Sequence, residues 1–354
     1  MDFLLFCGAG NSLSSFEVSA RIPNSSISSS NIFRFSMSSV EEAIQTVSIL
    51  GSSIKLVKLM DGVACDSDSV SKQVNTKNFS TNILNGPNDS KLNNEIKSML
   101  PKSRFLTSQE YYGLSPILIT KKKVDEFFLD MNKNEVWKTI WVHDFKHWIK
   151  KDRFLPFANA RAGMLPPKIA RSMINLAPST VWGKGKTLVD PFCGSGRIPI
   201  EALELGFDVF GCDISLDQVN QSSKNLTALG YDGGVITCQD STHISQVFKQ
   251  NIDLIVTEPF MGKTKLRPDR VKYVVPGLKK LYLGSLKDWV KCLKPGGVVI
   301  MVFPVFNDGK RDYKTSDIID DRLKLSYNHL NKGIFYSKPD AMVKREIHIL
   351  QKPV

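Results

Sequence analysis

The stretch Asp190-Pro191-Phe192-Cys193-Gly194-Ser195-Gly196 constrains this chain more than any other. It lies between a short apolar run, Thr187-Leu188-Val189-Asp190, and a helical pattern over Ile198 to Leu205. A glycine pair at a strand-to-helix turn lets the backbone approach a ligand closely, and the helix start offers free N–H groups. Asp213 closes the next predicted strand, Asp208 to Asp213, about 20 residues on. In nucleotide-binding α/β folds an acid there accepts hydrogen bonds from ribose hydroxyls. The full GxGxxG fingerprint and the GxxxxGK[ST] loop are both absent. A dinucleotide site and a P-loop NTPase are therefore disfavoured.

Strands and helices alternate through the rest of this half. The pattern predicts a helix over Lys168 to Leu176 after Pro166-Pro167, and another over Leu216 to Leu229. Strands follow at Val235 to Cys238 and Ile252 to Val256, then a helix over Leu281 to Cys292 and a strand over Val298 to Phe303. Successive βα units of this kind predict a doubly wound parallel sheet with its ligand at the strand C-termini.

The first 150 residues read differently. Phe3 to Cys7 predicts a strand, and Asn11 to Glu17 a helix start with serine capping and an acid in its first turn. Glu41 to Leu50 has helical periodicity and Ser53 to Leu59 alternates as a strand, an order that suits a small ferredoxin-like α+β domain. Residues 61–92, rich in Asp, Ser, Asn and Lys, read as an irregular linker. Lys91 to Leu100 predicts a helix, Pro116 to Thr120 a short strand, Trp137 to Val142 another strand, and Trp148 to Lys151 a basic connector. The expected architecture is α/β, with an N-terminal ferredoxin-like domain (1–60), a reduced RNA-binding region (61–145) and a Rossmann-like domain (146–354).

Charge narrows the partner. Among 354 residues, 47 Lys and Arg against 35 Asp and Glu give a formal charge of +12, which suggests a polyanion such as nucleic acid. Lys263, Lys265, Arg267, Arg270 and Lys272 fall within about ten residues, a pattern that suits phosphate contacts or a solvated loop. Tyr111 and Tyr112 suit either a small core or stacking on bases. The six cysteines lack CxxC pairing and a nearby His at zinc-finger spacing, so reduced buried thiols are expected, with no metal and no disulfide framework. No apolar run approaches the ~18–20 residues that cross a bilayer, and a soluble cytoplasmic protein is expected.

Four segments, DPFCGSG, GCDIS, CQDST and TEPF, resemble an S-adenosylmethionine-dependent amino-methyltransferase of the Rossmann class. The run Asn159 to Arg171 resembles the entry to the catalytic domain of THUMP-containing tRNA guanine-N2 methyltransferases, especially the guanosine-10 group. Lys338-Pro339-Asp340 and Lys344 to Ile347 resemble that family's final strands, and GAGNSLSSFE its N-terminal domain. The resemblance implies a cofactor loop of Asp190, Phe192, Gly194 and Gly196, with Asp213 on the ribose and Asp240 on the adenine amino group. It places Met164 to Lys168 at the methionine end, with Lys263, Lys265, Arg267 and Arg270 facing RNA. It implies S-adenosylmethionine as cofactor, tRNA as partner and no membrane, and leaves a small activator subunit open.

That family carries (D/N)PP(Y/F) after the fourth strand, where this chain reads Thr257-Glu258-Pro259-Phe260. The acid accepts the amine hydrogens and the ring stacks on the flipped base. Thr257 offers one neutral hydroxyl, a weaker acceptor. Three outcomes fit: Thr257, the Glu258 carbonyl and Phe260 suffice to orient the base; Glu258 supplies the carboxylate through a shifted loop; or catalysis is lost and the chain only binds RNA and cofactor. DNA amino-methylation uses the same type of motif.

Overall fold

The computed structural model describes residues 1–354 except 9–11, 85, 87–89, 158–163, 263–265, 322–326, 338–340 and 342, and the side chains of 320, 321 and 332. The chain divides into two compact units, Met1–Gly10 with Ile22–His147, and Asn11–Arg21 with Trp148–Val354.

The first unit is built on one eight-stranded sheet. Its order is Ser26–Ser29, Ile32–Ser36, Asp2–Cys7, Ser53–Leu59, Glu135–Val142, Val124–Asp130, Asn78–Ile83, Arg104–Phe105. The pairing is antiparallel as far as Val124–Asp130, and the last two strands run parallel to that one. Phe3 to Cys7 are all buried, as befits a strand covered on both faces. The boundary expected at residue 60 falls inside this sheet, because Ser53–Leu59 pairs directly with Glu135–Val142.

Three local expectations in this region need correction. Residues 61–92 hold the interior strand Asn78–Ile83, most of whose polar side chains find partners: Thr81 Oγ1 donates to Asn93 Oδ1, and Asn82 Nδ2 to the Phe127 carbonyl at 3.3 Å, while the buried Ser80 hydroxyl has none among the described residues. Composition misleads there because partners, not polarity, decide whether a strand can be buried. Pro116–Lys122 is a helix, not a strand. Ser115 Oγ caps the Leu118 N–H at 3.3 Å, Pro116 takes the first turn, and Lys123 at φ 50° ends it. The basic connector lies within the helix Phe145–Arg153.

The helix Ser12–Arg21 belongs to the second unit, although it lies in sequence between two strands of the first. Glu17 is no first-turn acid. It is buried and accepts from Ser172 Oγ at 2.8 Å and Asn175 Nδ2 at 2.7 Å, both on the helix Pro167–Asn175. Arg21 donates to the Ala177 carbonyl and lies 4.5 Å from the Trp182 ring centre.

The second unit's sheet runs Ile236–Cys238, Asp208–Asp213, Thr187–Asp190, Ile252–Thr257, Leu293–Asn307, Val343–Gln351, Asn328–Tyr336. The first five strands are parallel, Val343–Gln351 is antiparallel to its neighbour, and Asn328–Tyr336 is antiparallel to that. Strand order reverses between Thr187–Asp190 and Ile252–Thr257, so the loops leaving these two strands open a crevice at the sheet's switch point. The helix Val271–Cys292 starts ten residues before the expected Leu281. Pro276-Gly277 reads as a break, yet Val271, Val275, Leu278 and Tyr282 are buried at helical spacing, and that packing outweighs the proline.

Candidate active site

A cleft of about 610 Å³ opens at this switch point. That size lies within the range of about 300–1,000 Å³ that holds a small molecule. Asp190, Phe192, Gly194, Met164 and Glu258, all expected in the site, line it. Leu165, within the expected Met164 to Lys168 run, lines it too, and so do Pro156, Phe157, Arg197, Gln218 and Gln221, which the motifs do not mark.

The glycine loop is held from two sides. Gly194 has φ 50° and Gly196 φ 83°, both in the left-handed region. A Cβ on Gly196 would stand 2.4 Å from Ser222 Oγ and 3.0 Å from Leu226 Cδ1, on the helix Leu216–Ala228. A Cβ on Gly194 would meet only Gln218, 3.9 Å away, so a side chain at this cleft-lining position would take up ligand space. Asp213 Oδ2 accepts from the Gly194 N–H at 3.1 Å, and its Oδ1 from the Ser215 N–H at 2.9 Å. Its carboxylate thus ties the loops after two neighbouring strands together.

Asp190 lines the cleft and is only 2% exposed. Its Oδ1 accepts from the Phe192 N–H at 3.1 Å and from Thr257 Oγ1 at 2.7 Å. Burial pushes its carboxyl up to about 7, against those hydrogen bonds and with help from Asp213 and Glu258. Thr257 is therefore fully buried with its only hydroxyl proton given to Asp190, and it does not line the cleft.

Glu258 is the carboxylate that the fourth strand delivers to the cleft. Its Oε1 accepts from Arg345 Nε at 2.5 Å. Burial pushes its carboxyl above the ordinary range, and Arg345 opposes that shift. Taken one residue later than the sequence comparison did, the acid–Pro pair of the motif falls on Glu258-Pro259, with Phe260 and Met261 in the remaining places. Pro259 is buried and Phe260 is 57% exposed. Tyr282 Oη donates to the Phe260 carbonyl at 2.7 Å, anchoring the backbone beneath this exposed ring.

The other expected residues lie further out. Asp240 caps the turn Ser241–Gln246, accepting from Thr242 N and Oγ1, each at 2.8 Å; the Thr242 N–H holds its carboxyl below the usual range. Lys168 lies 5.4 Å from the Trp148 ring centre. Neither Asp240 nor Lys168 lines the cleft. Arg267 and Arg270 are exposed, and each pairs with Asp269, at 3.1 and 3.6 Å. Lys263, Lys265, the run Asn159 to Gly163 and Lys338 to Asp340 lie outside the described residues. In the first unit, Tyr111 donates to the Cys7 carbonyl and meets Tyr112 edge-on, 5.1 Å between ring centres.

Some of the missed residues left a signal. Gln218 and Gln221 are one helical turn apart on the helix after Asp213, and Arg197 follows the second glycine directly. Arg197 donates to the carbonyls of Lys151 and Asp152, so it braces the loop against the helix Phe145–Arg153. Arg345 lies 87 residues from Glu258 and has no local signature.

The sheet order, the switch-point cleft and the glycine loop tied to an acid define a Rossmann-like ligand-binding domain. A family model for the RMKL-like methyltransferase domain matches residues 158–314. A DNA methylase model matches 69–224, ending before the Glu258 loop. The tRNA (guanine(10)-N2)-dimethyltransferase of Pyrococcus abyssi is 36% identical over 204 residues, 57% of this chain and 53% of that protein. The enzyme of that name from Methanothermobacter thermautotrophicus is 30% identical over 165 residues, 46% of this chain and 44% of that one. Through this half, the chain is similar to tRNA guanine-N2-methyltransferases. It spans about half the length of the curated relatives it matches. TrmN from Thermus thermophilus shares the fold, with a TM-score of 0.59 at 16% identity over 99% of this chain and 100% of that one.

Proposed function

We propose that this protein methylates the exocyclic N2 of a guanine in tRNA, using S-adenosylmethionine, with guanosine-10 the expected position. The carrying observation is the Glu258 carboxylate, which lines the same cleft as the glycine loop. Asp190, Phe192, Gly194 and Met164 would hold the cofactor, with Asp213 and Asp240 on its ribose and adenine. When bound, the cofactor supplies an electrophilic methyl group.

The chain's own residues do the rest. Glu258 accepts a hydrogen bond from the guanine amine, turns its lone pair toward the cofactor and stabilises positive charge as the new N–C bond forms. The same carboxylate can take the proton that the alkylated nitrogen sheds. Thr257 acts indirectly, through its hydrogen bond to Asp190. Phe260 supplies a stacking face for the flipped base. Arg267 and Arg270 contact phosphates, as Lys263 and Lys265 were expected to do, and the first unit adds shape-based grip on folded RNA. A cytoplasmic setting suits this substrate. Among the described residues no helix is long and apolar enough to cross a membrane.

Two expected results test parts of this reading. Phe260→Ala should leave stability within about 0.5 kcal/mol, because the ring is exposed, yet weaken tRNA-dependent turnover by about 1–3 kcal/mol, the worth of a base–aromatic stack. Melting curves beside kcat/KM for tRNA would measure both, and an unchanged kcat/KM would remove Phe260 from the site. The second concerns Asp190. Cofactor cations should favour its carboxylate, so binding should release protons near pH 6–7 and tighten as pH rises through about 7. Calorimetry in buffers of different ionisation enthalpy reads this release. Equal heats in all buffers would place the cofactor's charges away from Asp190.

A further inference from the structure

Glu258 is shielded from water and needs its charge. Its side chain is 11% exposed, and a buried carboxyl with no partner takes a proton and stops accepting two amine hydrogens. The groups around it come from four elements. Asp190, at the end of the first parallel strand, has its own carboxyl pushed up by burial and, further, by Asp213 and Glu258. Tyr282, on the long helix, and Tyr336, on the edge strand, are phenols that burial keeps neutral. Arg345, on the antiparallel strand Val343–Gln351, is the cation of the set.

Arg345 is itself held in place. It stands between Pro304 and Tyr336 in the sheet register, its guanidinium 6.0 Å from the Tyr336 ring centre. Its side chain is 22% exposed, so its charge is poorly screened. The contact is made by Nε to Oε1, and no described residue bonds Oε2.

We infer that Arg345 is a positioning residue for Glu258: it fixes one carboxylate oxygen and leaves the other free for an incoming amine. The inference rests on the proposed reaction only for the identity of that amine. Arg345 touches neither base nor cofactor in this scheme. The antiparallel strand thereby contributes to a site otherwise built from loops after parallel strands.

The test follows the carboxyl of Glu258 itself. Protein labelled with ¹³C at glutamate carboxyls is titrated, with the Glu258 signal assigned by its loss in Glu258→Gln. Arg345→Met should raise the Glu258 midpoint by at least about one pH unit, the shift an adjacent opposite charge confers. Arg345→Lys should hold it close to the wild-type value. The acid limb of the methylation profile should move upward by the same amount in Arg345→Met, with KM for S-adenosylmethionine unchanged. Should Arg345→Met fail to fold, Arg345→Gln drops the charge while keeping a hydrogen-bond donor, and carries the same expectation. An unchanged Glu258 midpoint overturns the inference, even if methylation is intact. A wild-type protein that methylates no tRNA overturns the proposed reaction instead, and the midpoint still decides the role of Arg345.

Discussion

Glu258→Gln is expected to lower methyl transfer to tRNA by about 100–1,000-fold while S-adenosylmethionine binding stays within a few-fold of wild type. The magnitude is that of removing one well-placed group from a preorganised polar site. Glutamine keeps the size and one carbonyl acceptor but loses the charge that stabilises a developing cation on nitrogen. It also leaves Arg345 facing a neutral amide, so some loss of stability should accompany the loss of rate. The companion variant Thr257→Val should act differently. It removes the 2.7 Å donor to Asp190, so its main effect should fall on cofactor affinity and its pH dependence, with a smaller effect on rate. If Thr257→Val proves the more damaging to kcat, the carboxylate role assigned to Glu258 is wrong.

Gly196→Ala should be the most disruptive single methyl in the molecule for cofactor binding. At φ 83° an L side chain is strained, and the new Cβ would lie 2.4 Å from Ser222 Oγ. Strain and overpacking together should cost about 2–4 kcal/mol of stability, with cofactor binding lost because the loop must move. Gly194→Ala separates the two effects. Its Cβ has room beside Gln218, so it should cost less stability while still intruding on the cleft. Thermal melts with and without the cofactor distinguish these outcomes. A Gly196→Ala protein that binds normally would mean the loop does not touch the ligand.

The second unit was legible because its signals are local. A strand, a glycine turn and a helix recur in order, and Asp190, Gly194 and Gly196 fall where the turn needs them. The boundary near residue 60 was not legible, because Ser53–Leu59 finds its partner at Glu135–Val142, and register between distant strands leaves no mark in either segment. The same holds for Ser12–Arg21, whose Glu17 meets Ser172 and Asn175 more than 150 residues away. After the fourth strand, the sequence leaves the acid's place open between Thr257 and Glu258. Pro259 and the aromatic at 260 match the motif's last places and point to 257, whereas the carboxylate stands at 258. Only the cleft lining and the buried hydrogen bond of Thr257 separate those readings.

The most direct test of the account incubates the protein with unmodified tRNA and S-adenosylmethionine, then analyses the nucleosides by mass spectrometry. The account predicts N2-methylguanosine, its loss when guanosine-10 is replaced, and its near absence with Glu258→Gln. A protein that binds both cofactor and tRNA but forms no methylated guanosine, or that modifies duplex DNA instead, would contradict it.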